Sequence, residues 1–447
     1  MNDPSVRARL EGGLLLRHAL PADQDALASF QVDAHRRDDA PQASAYLDTY
    51  THDLFTRPHP LIGVSDFLLI TEGQSGTIVS SVQLIHQVWT YGGISIPVSQ
   101  IELVGTLPAY RRRGLARRLI EEAHTIGIKR GSLVEIIGGN PNFYRQFGYE
   151  YGVMAGDGRG VHRTSLPLPV HNATTLAPFR IRPARKGDVQ LLMQADAEAM
   201  RRNLVYFPRE AAMWRYELDG RSESNRFHHQ VRIIETAAGE PVGMLIYTWS
   251  AYSPWLNVVA YELLPSSSWL AVTPWVLHYL HQVGMAPANG YAPTSYEGIW
   301  FWLGTAHPAY DTMSSRLMQT QHPTILYARV PDMASFLRTV APILEARLPG
   351  TVAAGYSGEL TLSFYQNGLY LRFDQGRLIK AAAWQPLDDK EADAAFPGLT
   401  FLPFLFGYRT FAQQEEAYPD CLAHSDKARA LLTTLFPALP SRVWSPF

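Results

Sequence analysis

The chain is 447 residues long, with 46% hydrophobic and 18% charged residues, a composition that suits a folded protein of roughly three domains. Its 39 basic and 41 acidic residues give a net charge of −2, which argues against a nucleic-acid binder because such proteins carry a strong basic excess. The apolar runs are too short to span a bilayer and the first residues lack a secretory signal, so we expect a cytoplasmic protein without a membrane span. The single cysteine, Cys421, excludes an internal disulfide and a cysteine-based zinc site.

The N-terminal region predicts a mixed α/β unit rather than a regular alternation of parallel strands and helices. Strand patterns occupy residues 14–17, 66–71, 77–91, 99–106 and 132–138. Helical patterns occupy residues 23–30 and 44–55, the end of the segment LPAYRRRGLARRLIEEA (107–123), and a short stretch, NPNFYRQFG (140–148).

An arginine-rich loop lies between a predicted strand and a predicted helix. It has the pattern R-x-x-G-x-A and consists of Arg111, Arg112, Arg113, Gly114, Leu115 and Ala116. Free backbone N–H groups at a helix start attract an anion, and a glycine lets that anion approach the backbone. The pattern therefore predicts a pyrophosphate site, although arginines on a solvated helix start are the alternative interpretation.

The strand before this loop ends with the sequence ELVGT. We expect Gly105 to splay this strand away from its neighbour. The backbone of Leu103, Val104 and Gly105 would then be free to pair with the amide groups of a ligand.

A second unit begins like the first. The segments LLLRHALPADQDALASFQ, from Leu14, and FRIRPARKGDVQLLMQAD, from Phe179, share one pattern, which predicts an internal repeat. The residues between them, 157–178, are rich in Gly and Pro and predict a linker. Where the second unit should carry its own anion loop, it has Pro265, Ser266 to Ser268 and Trp269 instead, so we expect a degenerate copy.

The last third of the chain predicts a small α+β domain. An amphipathic helix is expected from Asp332 to Arg347. The strands ELTLSFY, GLYLRFD and RLIKAAAW follow it, separated by short turns that are typical of hairpins, and a last helical pattern lies near the end, in SDKARALLTTLFP.

The order of strand, R-x-x-G-x-A helix, strand and NPNFYRQFGYE resembles the GNAT family of acetyl-CoA-dependent N-acetyltransferases, and the whole layout resembles its Eis (enhanced intracellular survival) type. The resemblance implies an α/β fold with mixed sheets in three parts: a catalytic GNAT domain at 12–158, a degenerate GNAT-like domain at 175–325 and a sterol-carrier-like domain at 326–447. It also implies that residues 111–116 hold the pyrophosphate of acetyl-CoA, that residues 103–105 pair with its pantetheine arm, and that Tyr144 is the general acid.

Acetyl transfer to an amine also needs a group that accepts a proton, since a free alkylamine has a pKa of about 10.4. In Eis-like enzymes the C-terminal carboxylate has this role, which implies that the carboxylate of Phe447 enters the active site. A frayed terminus is the plain alternative. Four other residues stay open as bases: Glu102, His86, Asp33 and His35.

The resemblance implies a primary-amine acceptor of the aminoglycoside, polyamine or lysine-like kind and a homo-oligomer, specifically a hexamer. The acidic residues that could line such a site are Asp33, Asp38, Asp39, Asp48 and Glu102. We expect no metal, because the fifteen histidines show no chelating arrangement. The alternative function is a non-catalytic acyl-CoA or lipid binding protein that uses its sterol-carrier-like domain.

Overall fold

The computed structural model describes residues 5–37, 44–140, 142–156, 158–169, 177–249, 254–286, 296–318, 324–386 and 392–444. Over these ranges the chain forms twenty strands in three sheets, together with twelve α-helices. The predicted α/β class with mixed sheets is therefore confirmed. None of the helices in these ranges is long and apolar enough to cross a bilayer.

The elements are numbered in chain order. The strands are β1 (Val6–Arg9), β2 (Leu14–His18), β3 (Phe67–Glu72), β4 (Ile78–Tyr91), β5 (Ile94–Thr106), β6 (Val134–Ile137), β7 (Glu150–Gly156), β8 (Arg159–His162), β9 (Phe179–Pro183), β10 (Val205–Tyr206), β11 (Gln230–Thr236), β12 (Pro241–Trp249), β13 (Trp255–Leu263), β14 (Gly298–Phe301), β15 (Thr324–Arg329), β16 (Gly358–Ser363), β17 (Gly368–Asp374), β18 (Arg377–Trp384), β19 (Ala394–Ala395) and β20 (Leu422–Ala423). The helices are α1 (Gln24–Ala34), α2 (Tyr46–Thr56), α3 (Leu115–Lys129), α4 (Val189–Arg202), α5 (Ala211–Asp219), α6 (Trp269–Met285), α7 (Pro308–Asp311), α8 (Met333–Thr339), α9 (Ala341–Ala346), α10 (Phe401–Leu405), α11 (Phe411–Ala417) and α12 (Asp426–Leu435).

The first sheet has the order β1-β2-β3-β4-β5-β6-β15-β7, and β10 pairs with β4. Helices cover both faces of this sheet. Alternate residues of β3 point in opposite directions, so this strand contacts helices on each face. Leu68 and Ile70 pack with α3 on one face, whereas Phe67 and Leu69 pack with α1 and α2 on the other. The buried side chains of α3 recur at helical spacing, which explains why this segment was readable as an amphipathic helix.

The first two sheets exchange strands. The second sheet has the order β8-β14-β13-β12-β11-β9. In the first sheet β5 pairs in parallel with β6, and β6 then pairs antiparallel with β15. In the second sheet β13 pairs in parallel with β14, and β14 then pairs antiparallel with β8. In the first sheet the strand beside the parallel pair is β15, which follows the second unit in the chain. In the second sheet it is β8, which follows the strands of the first unit.

The exchange corrects the prediction that residues 157–178 are only a linker, because Arg159–His162 forms β8. The glycines that made this segment look like a linker are needed for packing. A Cβ on Gly160 would lie 2.5 Å from the Trp300 ring, so only glycine allows this approach of β8 to β14.

The two similar segments at the start of each unit form the same local structure. Arg17 donates two hydrogen bonds of 2.7 Å to Asp23, and Arg182 donates bonds of 2.7 and 2.9 Å to Asp188. Each aspartate also accepts a backbone N–H three residues before it, at 2.7 Å in both cases. These contacts join β2 to the start of α1 in the first unit and β9 to the start of α4 in the second.

The third sheet has the order β18-β17-β16-β19-β20, and its core is continuous with Trp89 and Tyr91 of the first sheet. The single helix predicted from Asp332 to Arg347 is wrong in one respect, since the chain forms α8 and α9 with a break at Val340. Pro342 explains the break, because proline has no N–H to donate and its ring clashes with the preceding turn.

We expect Gly105→Ala to lower the free energy of unfolding by about 1–3 kcal/mol, because an added methyl group overpacks this site. A Cβ on Gly105 would lie 3.0 Å from the Cβ of Ala34 and 3.1 Å from Cε1 of His35, both at the end of α1. Denaturant unfolding measures the change. Gly187→Ala is the matched control, since its added Cβ would meet no atom within 4 Å, and equal effects of the two substitutions would contradict the packing argument.

Candidate active site

Strands β5 and β6 separate at the centre of the first sheet. Their parallel pairing ends at Ile101 and Ile137, while β5 continues to Thr106 paired only with β4. A bulge accompanies the separation, since the register with β4 gains one residue on β5 and Leu103 has a φ of 51°. Past Ile101, the edge of β5 that faces away from β4 therefore has no strand partner among the described residues.

The predicted divergence is present, but Gly105 is not its cause. The separation begins at Glu102, and Gly105 itself still pairs with Ser81 of β4. The missing side chain of Gly105 instead makes room for the end of α1.

The N-terminus of α3 is open to an anion. Gly114 has a φ of 73°, no side chain caps the helix, and the backbone N–H of Arg118 is the first to bond within it, to the Gly114 oxygen at 3.0 Å. The preceding N–H groups therefore have no helical partner. A Cβ on Gly114 would meet no atom within 4 Å, so the space above the loop is clear.

The three arginines beside this helix start are exposed, and within the described ranges no carboxylate forms an ion pair with them. Arg111 donates to the Thr106 oxygen at 3.2 Å, and Arg113 lies 4.8 Å from the centre of the Tyr110 ring. Their charge therefore adds to the partial positive charge of the helix terminus.

The corresponding helix of the second unit, α6, is closed in a different way. The Ser268 hydroxyl caps it by accepting the Ala271 N–H at 3.4 Å, and Trp269 packs at 4.9 Å on the Tyr261 ring. The Ser268 hydroxyl therefore occupies the N-terminus of α6, whereas the N-terminus of α3 is uncapped. This difference agrees with the absence of the arginine and glycine pattern from the second unit.

Tyr144 lies on a short 3-10 turn, Phe143–Phe147, and is only 5% exposed. Its ring packs 5.1 Å from Phe143 and 5.8 Å from Tyr327 of β15. Its hydroxyl has no hydrogen-bond partner among the described residues. Burial raises the pKa of Tyr144 to about 12, and the nearby Glu102 charge contributes to the increase.

Tyr149 has a different environment, although it follows Tyr144 closely in the sequence. Its hydroxyl lies 2.9 Å from Nε2 of His124 and 3.5 Å from Glu135, inside the core. The Tyr149 hydroxyl is therefore already engaged by core residues.

Glu102 occupies the point where β5 leaves β6. Burial raises the pKa of Glu102 to about 7, although a hydrogen bond of 2.6 Å from the Gln100 amide opposes the shift. The Gln100 oxygen accepts from Gln87 at 2.7 Å, and the Gln87 oxygen accepts from the Trp89 indole at 2.9 Å. This chain of donors ends on the Glu102 carboxylate and fixes its position.

Glu102 also faces a small cavity of about 80 Å³ between the first two units. Its other lining residues are Tyr46, Leu47, Tyr50, Gln83, Leu103 and Phe227. The Phe227 ring comes from the second unit and packs edge-on against Tyr46 and Tyr50 at 5.8 and 5.7 Å. Both units therefore close the space around the carboxylate.

The other predicted bases are less well placed. His35 bonds through Nδ1 to the Gln31 oxygen at 3.0 Å, and burial lowers its pKa. Burial also lowers the pKa of His86. Asp33 and Asp48 line a separate shallow cavity on α1 and α2, and Asp38 and Asp39 lie outside the described residues.

The C-terminal segment is held between the first two units as far as Trp444. The backbone N–H of Arg442 bonds to Val205 at 3.0 Å, and that of Val443 bonds to Ala155 at 3.0 Å. The buried Arg442 side chain donates to backbone oxygens of the second sheet. Phe447, whose carboxylate was predicted as a base, lies outside the described residues.

Trp444 is fixed by a buried ionic cluster. The Arg209 guanidinium donates to the Trp444 oxygen at 3.0 Å and lies 3.4 Å from the centre of its ring. Glu217 pairs with Arg221 at 2.8 Å and lies 3.1 Å from Nδ1 of His229, and the Arg221 charge together with the His229 hydrogen bond holds the pKa of Glu217 well below its usual range despite burial. The Glu217 carboxylate of this cluster compensates the charge of the Arg209 guanidinium, which holds Trp444 in place.

Sequence reasoning missed Gln87, Gln100, Tyr327 and Phe227. The glutamines had a readable signal, because polar residues at alternate positions of a buried strand indicate an internal network. Tyr327 and Phe227 had none, since only the exchanged strand and the packing between units bring them to the site. Within the described ranges, no group of three or more His, Cys, Asp or Glu residues is arranged to hold a metal.

Residues 23–152 match the family model described as acetyltransferase (GNAT) domain. This region contains the separated strands, the open helix start, Glu102 and Tyr144. Residues 23–152 are therefore similar to a GNAT acetyltransferase domain. A search of curated protein sequences gave no significant match.

Solved structures resemble the chain over almost its whole length. A GCN5-related N-acetyltransferase from Anabaena variabilis has a TM-score of 0.67 at 14% identity, covering 97% of this chain and 99% of that one. A probable N-acyltransferase of unknown function from Enterococcus faecalis has 0.67 at 14%, covering 96% and 98%. Eis1 from Mycobacterium abscessus has 0.58 at 14%, covering 97% and 99%. These likenesses show a shared fold over almost the whole chain.

Proposed function

We propose that the chain is an acetyl-CoA-dependent N-acetyltransferase that acetylates a primary amine by direct attack. The observation that carries the proposal is the separation of β5 from β6 beside an uncapped, arginine-flanked helix, with Glu102 and Tyr144 close to the gap. We further propose the Eis-type layout of a catalytic domain at 12–158, a degenerate GNAT-like domain at 175–325 and a sterol-carrier-like domain at 326–447. A cytoplasmic location stays a prediction from the sequence composition, and a homo-hexamer stays a prediction from the resemblance.

The residues present suit acetyl-CoA, which supplies the acetyl group as a thioester when bound. The N–H groups at the start of α3, from Leu115 and Ala116, would hold the pyrophosphate together with Arg111, Arg112 and Arg113. The open space over Gly114 supports this, since a side chain there would fill the cradle. The unpaired edge of Leu103, Val104 and Gly105 would pair with the amides of the pantetheine arm, as another strand would.

In the proposed reaction the acceptor nitrogen forms a bond to the acetyl carbonyl carbon while the carbon–sulfur bond breaks. A base accepts the proton that the nitrogen loses. Tyr144 acts as the general acid and donates its hydroxyl proton to the departing sulfur. The raised pKa of Tyr144 keeps its hydroxyl protonated at neutral pH. Among the described residues this hydroxyl has no other hydrogen-bond partner, which supports its role as the acid.

Two carboxylates are candidates for the base. Glu102 is favoured by its pKa of about 7, because a general base works best when its pKa is near the working pH. The carboxylate of Phe447 is favoured by the anchored tail, since three residues beyond Trp444 can span up to about 10 Å. Phe227 supports a route between the C-terminal tail and Glu102, because it lines both the Glu102 cavity and a larger cavity whose wall includes Trp444.

A second candidate function, lipid binding, is favoured by a cavity of about 760 Å³ in the last third of the chain. Phe364, Leu369, Phe401 and Leu402 contribute apolar walls to it. A lipid carrier would copurify with extractable lipid, and its ligand binding would not respond to changes at Tyr144.

We expect Gly114→Ala to weaken acetyl-CoA binding by about tenfold or more, because its side chain would occupy the pyrophosphate cradle. Isothermal titration measures the dissociation constant. Gly12→Ala is the matched control, since Gly12 has a φ of 72°, close to the 73° of Gly114, and also has open space around it. Both alanines carry a similar backbone penalty, so unchanged affinity in both variants would contradict the proposed cradle.

We expect Tyr144→Phe to lower kcat by about 10²-fold or more with little change in acetyl-CoA affinity, because the general acid is lost. Release of coenzyme A thiol across a panel of primary amines measures the rate. Tyr370→Phe, in the third sheet, is a control that should keep full activity. If the wild type releases no thiol with any amine while binding acetyl-CoA, the acetyltransferase proposal fails and the binding function gains support.

The pH dependence of Glu102→Gln distinguishes the two bases. Below pH 7 Glu102 becomes protonated and cannot accept a proton, so kcat/KM of the wild type should fall as the pH drops through about 7. The ratio of wild type to variant cancels the titration of the acceptor, and we expect this ratio to rise with pH to a plateau of about 10²-fold.

A different result is expected if the Phe447 carboxylate is the base, because a terminal carboxyl with its ordinary pKa of about 3.5 stays ionised throughout this range. A chain extended by a few residues past Phe447 would then lose activity while it still binds acetyl-CoA. Glu102→Gln would keep its activity, and the ratio would not change with pH.

A further inference from the structure

A large aromatic cavity lies between the second sheet and the anchored C-terminal segment. Its volume is about 880 Å³, enough for a drug-sized molecule. The tail contributes Arg442, Val443 and Trp444 to its wall, and β7 contributes Ala155 and Gly156. None of the mechanistic steps above uses this space.

Four indoles form one wall of the cavity. Trp249, Trp255, Trp300 and Trp302 come from β12, β13 and the β14 segment, and all four are half-buried. Neighbouring rings are in contact, with 5.8 Å between the centres of Trp255 and Trp300 and 6.1 Å between those of Trp300 and Trp302.

Trp255, Trp300 and Trp302 lie on the face of the second sheet that is opposite to α6, whereas Trp249, at the end of β12, also packs against the Tyr296 ring on the α6 side. Side chains that alternate with them, such as Leu256, Val258 and Ile299, pack with α6 in the core of the second unit. Elsewhere this face is covered by α4 and α5, which pack on Ile233, Ile246 and Ala260, whereas the indoles border the cavity instead. A concentration of tryptophan on that face is typical of a binding surface.

The charge of the cavity favours some acceptors over others. Its described lining includes Arg226 and Arg442 but no aspartate or glutamate. The nearby Glu217 is engaged by Arg221 and His229. A molecule with several positive charges would therefore meet like charges here without a carboxylate to neutralise it.

A route connects this cavity to the proposed reaction centre. Phe227 lines both the aromatic cavity and the cavity of about 80 Å³ that contains Glu102. The smaller space suits an amine group, whereas the larger one suits the body of the acceptor. The acidic cavity of Asp33 and Asp48 shares no lining residue with the Glu102 cavity among the described residues.

We propose that the aromatic cavity binds the body of the acceptor, and that the acceptor is an arylalkylamine, meaning a primary amine attached through a short chain to an aromatic ring. This inference rests on the proposed acetyltransferase function. It replaces the polycationic acceptor implied by the sequence with an aromatic one. Indoles attract both an aromatic ring and a single ammonium group, so one positive charge on the acceptor is compatible with the wall.

The first arm of the test compares amines in the thiol-release assay with the full chain. The probes are 2-phenylethylamine, spermidine and kanamycin. We expect kcat/KM for 2-phenylethylamine to exceed that for the other two by at least about tenfold, since stacking on an indole contributes roughly this factor. A preference for spermidine or kanamycin would overturn the inference and leave the acetyltransferase proposal intact.

The second arm locates the acceptor. Trp249→Ala and Trp300→Ala should each raise KM for 2-phenylethylamine by about five- to tenfold, with kcat and acetyl-CoA affinity unchanged. Trp300→Phe should restore most of the loss. Trp275→Ala, on α6 and outside the cavity lining, is the matched control and should leave KM unchanged.

Direct binding separates the two proposals. Isothermal titration of 2-phenylethylamine into the protein with coenzyme A present should give a dissociation constant that the Trp249→Ala substitution weakens. Binding of this kind without turnover of any amine would contradict the acetyltransferase function but support the cavity as an aromatic site. Equal KM values in wild type and both tryptophan variants would overturn the cavity assignment.

Discussion

The exchange of β8 and β15 between the first two sheets is the constraint on which the rest of the structure depends. Each strand completes the sheet of the other unit, so neither sheet has its full set of hydrogen bonds without the partner unit. The exchange also brings Tyr327 against Tyr144. A residue that is far away in sequence thereby supports the turn that carries the proposed acid.

The interface between the units is reinforced by polar contacts on both sides of the site. Asp53 of α2 accepts hydrogen bonds from Ser222 and Asn225 at 3.0 and 2.6 Å, which fixes the segment that carries Phe227. On the other side, the tail pairs with β10 through Tyr206 and Arg442. The site is therefore assembled from three distant parts of the chain, and its shape depends on how they pack.

The electrostatics of the site divide it into two ends. At one end, exposed arginines and free N–H groups at the start of α3 create positive potential that suits a phosphate-bearing ligand. At the other end, the half-buried Glu102 carboxylate, whose pKa is raised, faces a small cavity lined by aromatic rings. The separated strands join these ends, so a long ligand that pairs with β5 would reach from the positive end to the carboxylate.

The sequence by itself determined the features that depend on local chemistry. The pattern from Arg111 to Ala116 predicted an open helix start, and the structure has an uncapped α3 there. Most helix and strand positions in the first and third sheets followed from apolar periodicity, whereas the contrast between α3 and α6 followed from the missing arginine and glycine pattern. These features were readable because capping, periodicity and turn chemistry act over a few neighbouring residues.

Only the tertiary structure decided the features that depend on contacts between distant segments. The strand formed by Arg159–His162 looked like a linker, because its glycines serve packing against Trp300 rather than a turn. The raised pKa of Glu102 comes from burial by both units, and the aromatic cavity exists only where the tail meets the second sheet. Burial and cavity shape are sums over many long-range contacts, so no short stretch of sequence contains them.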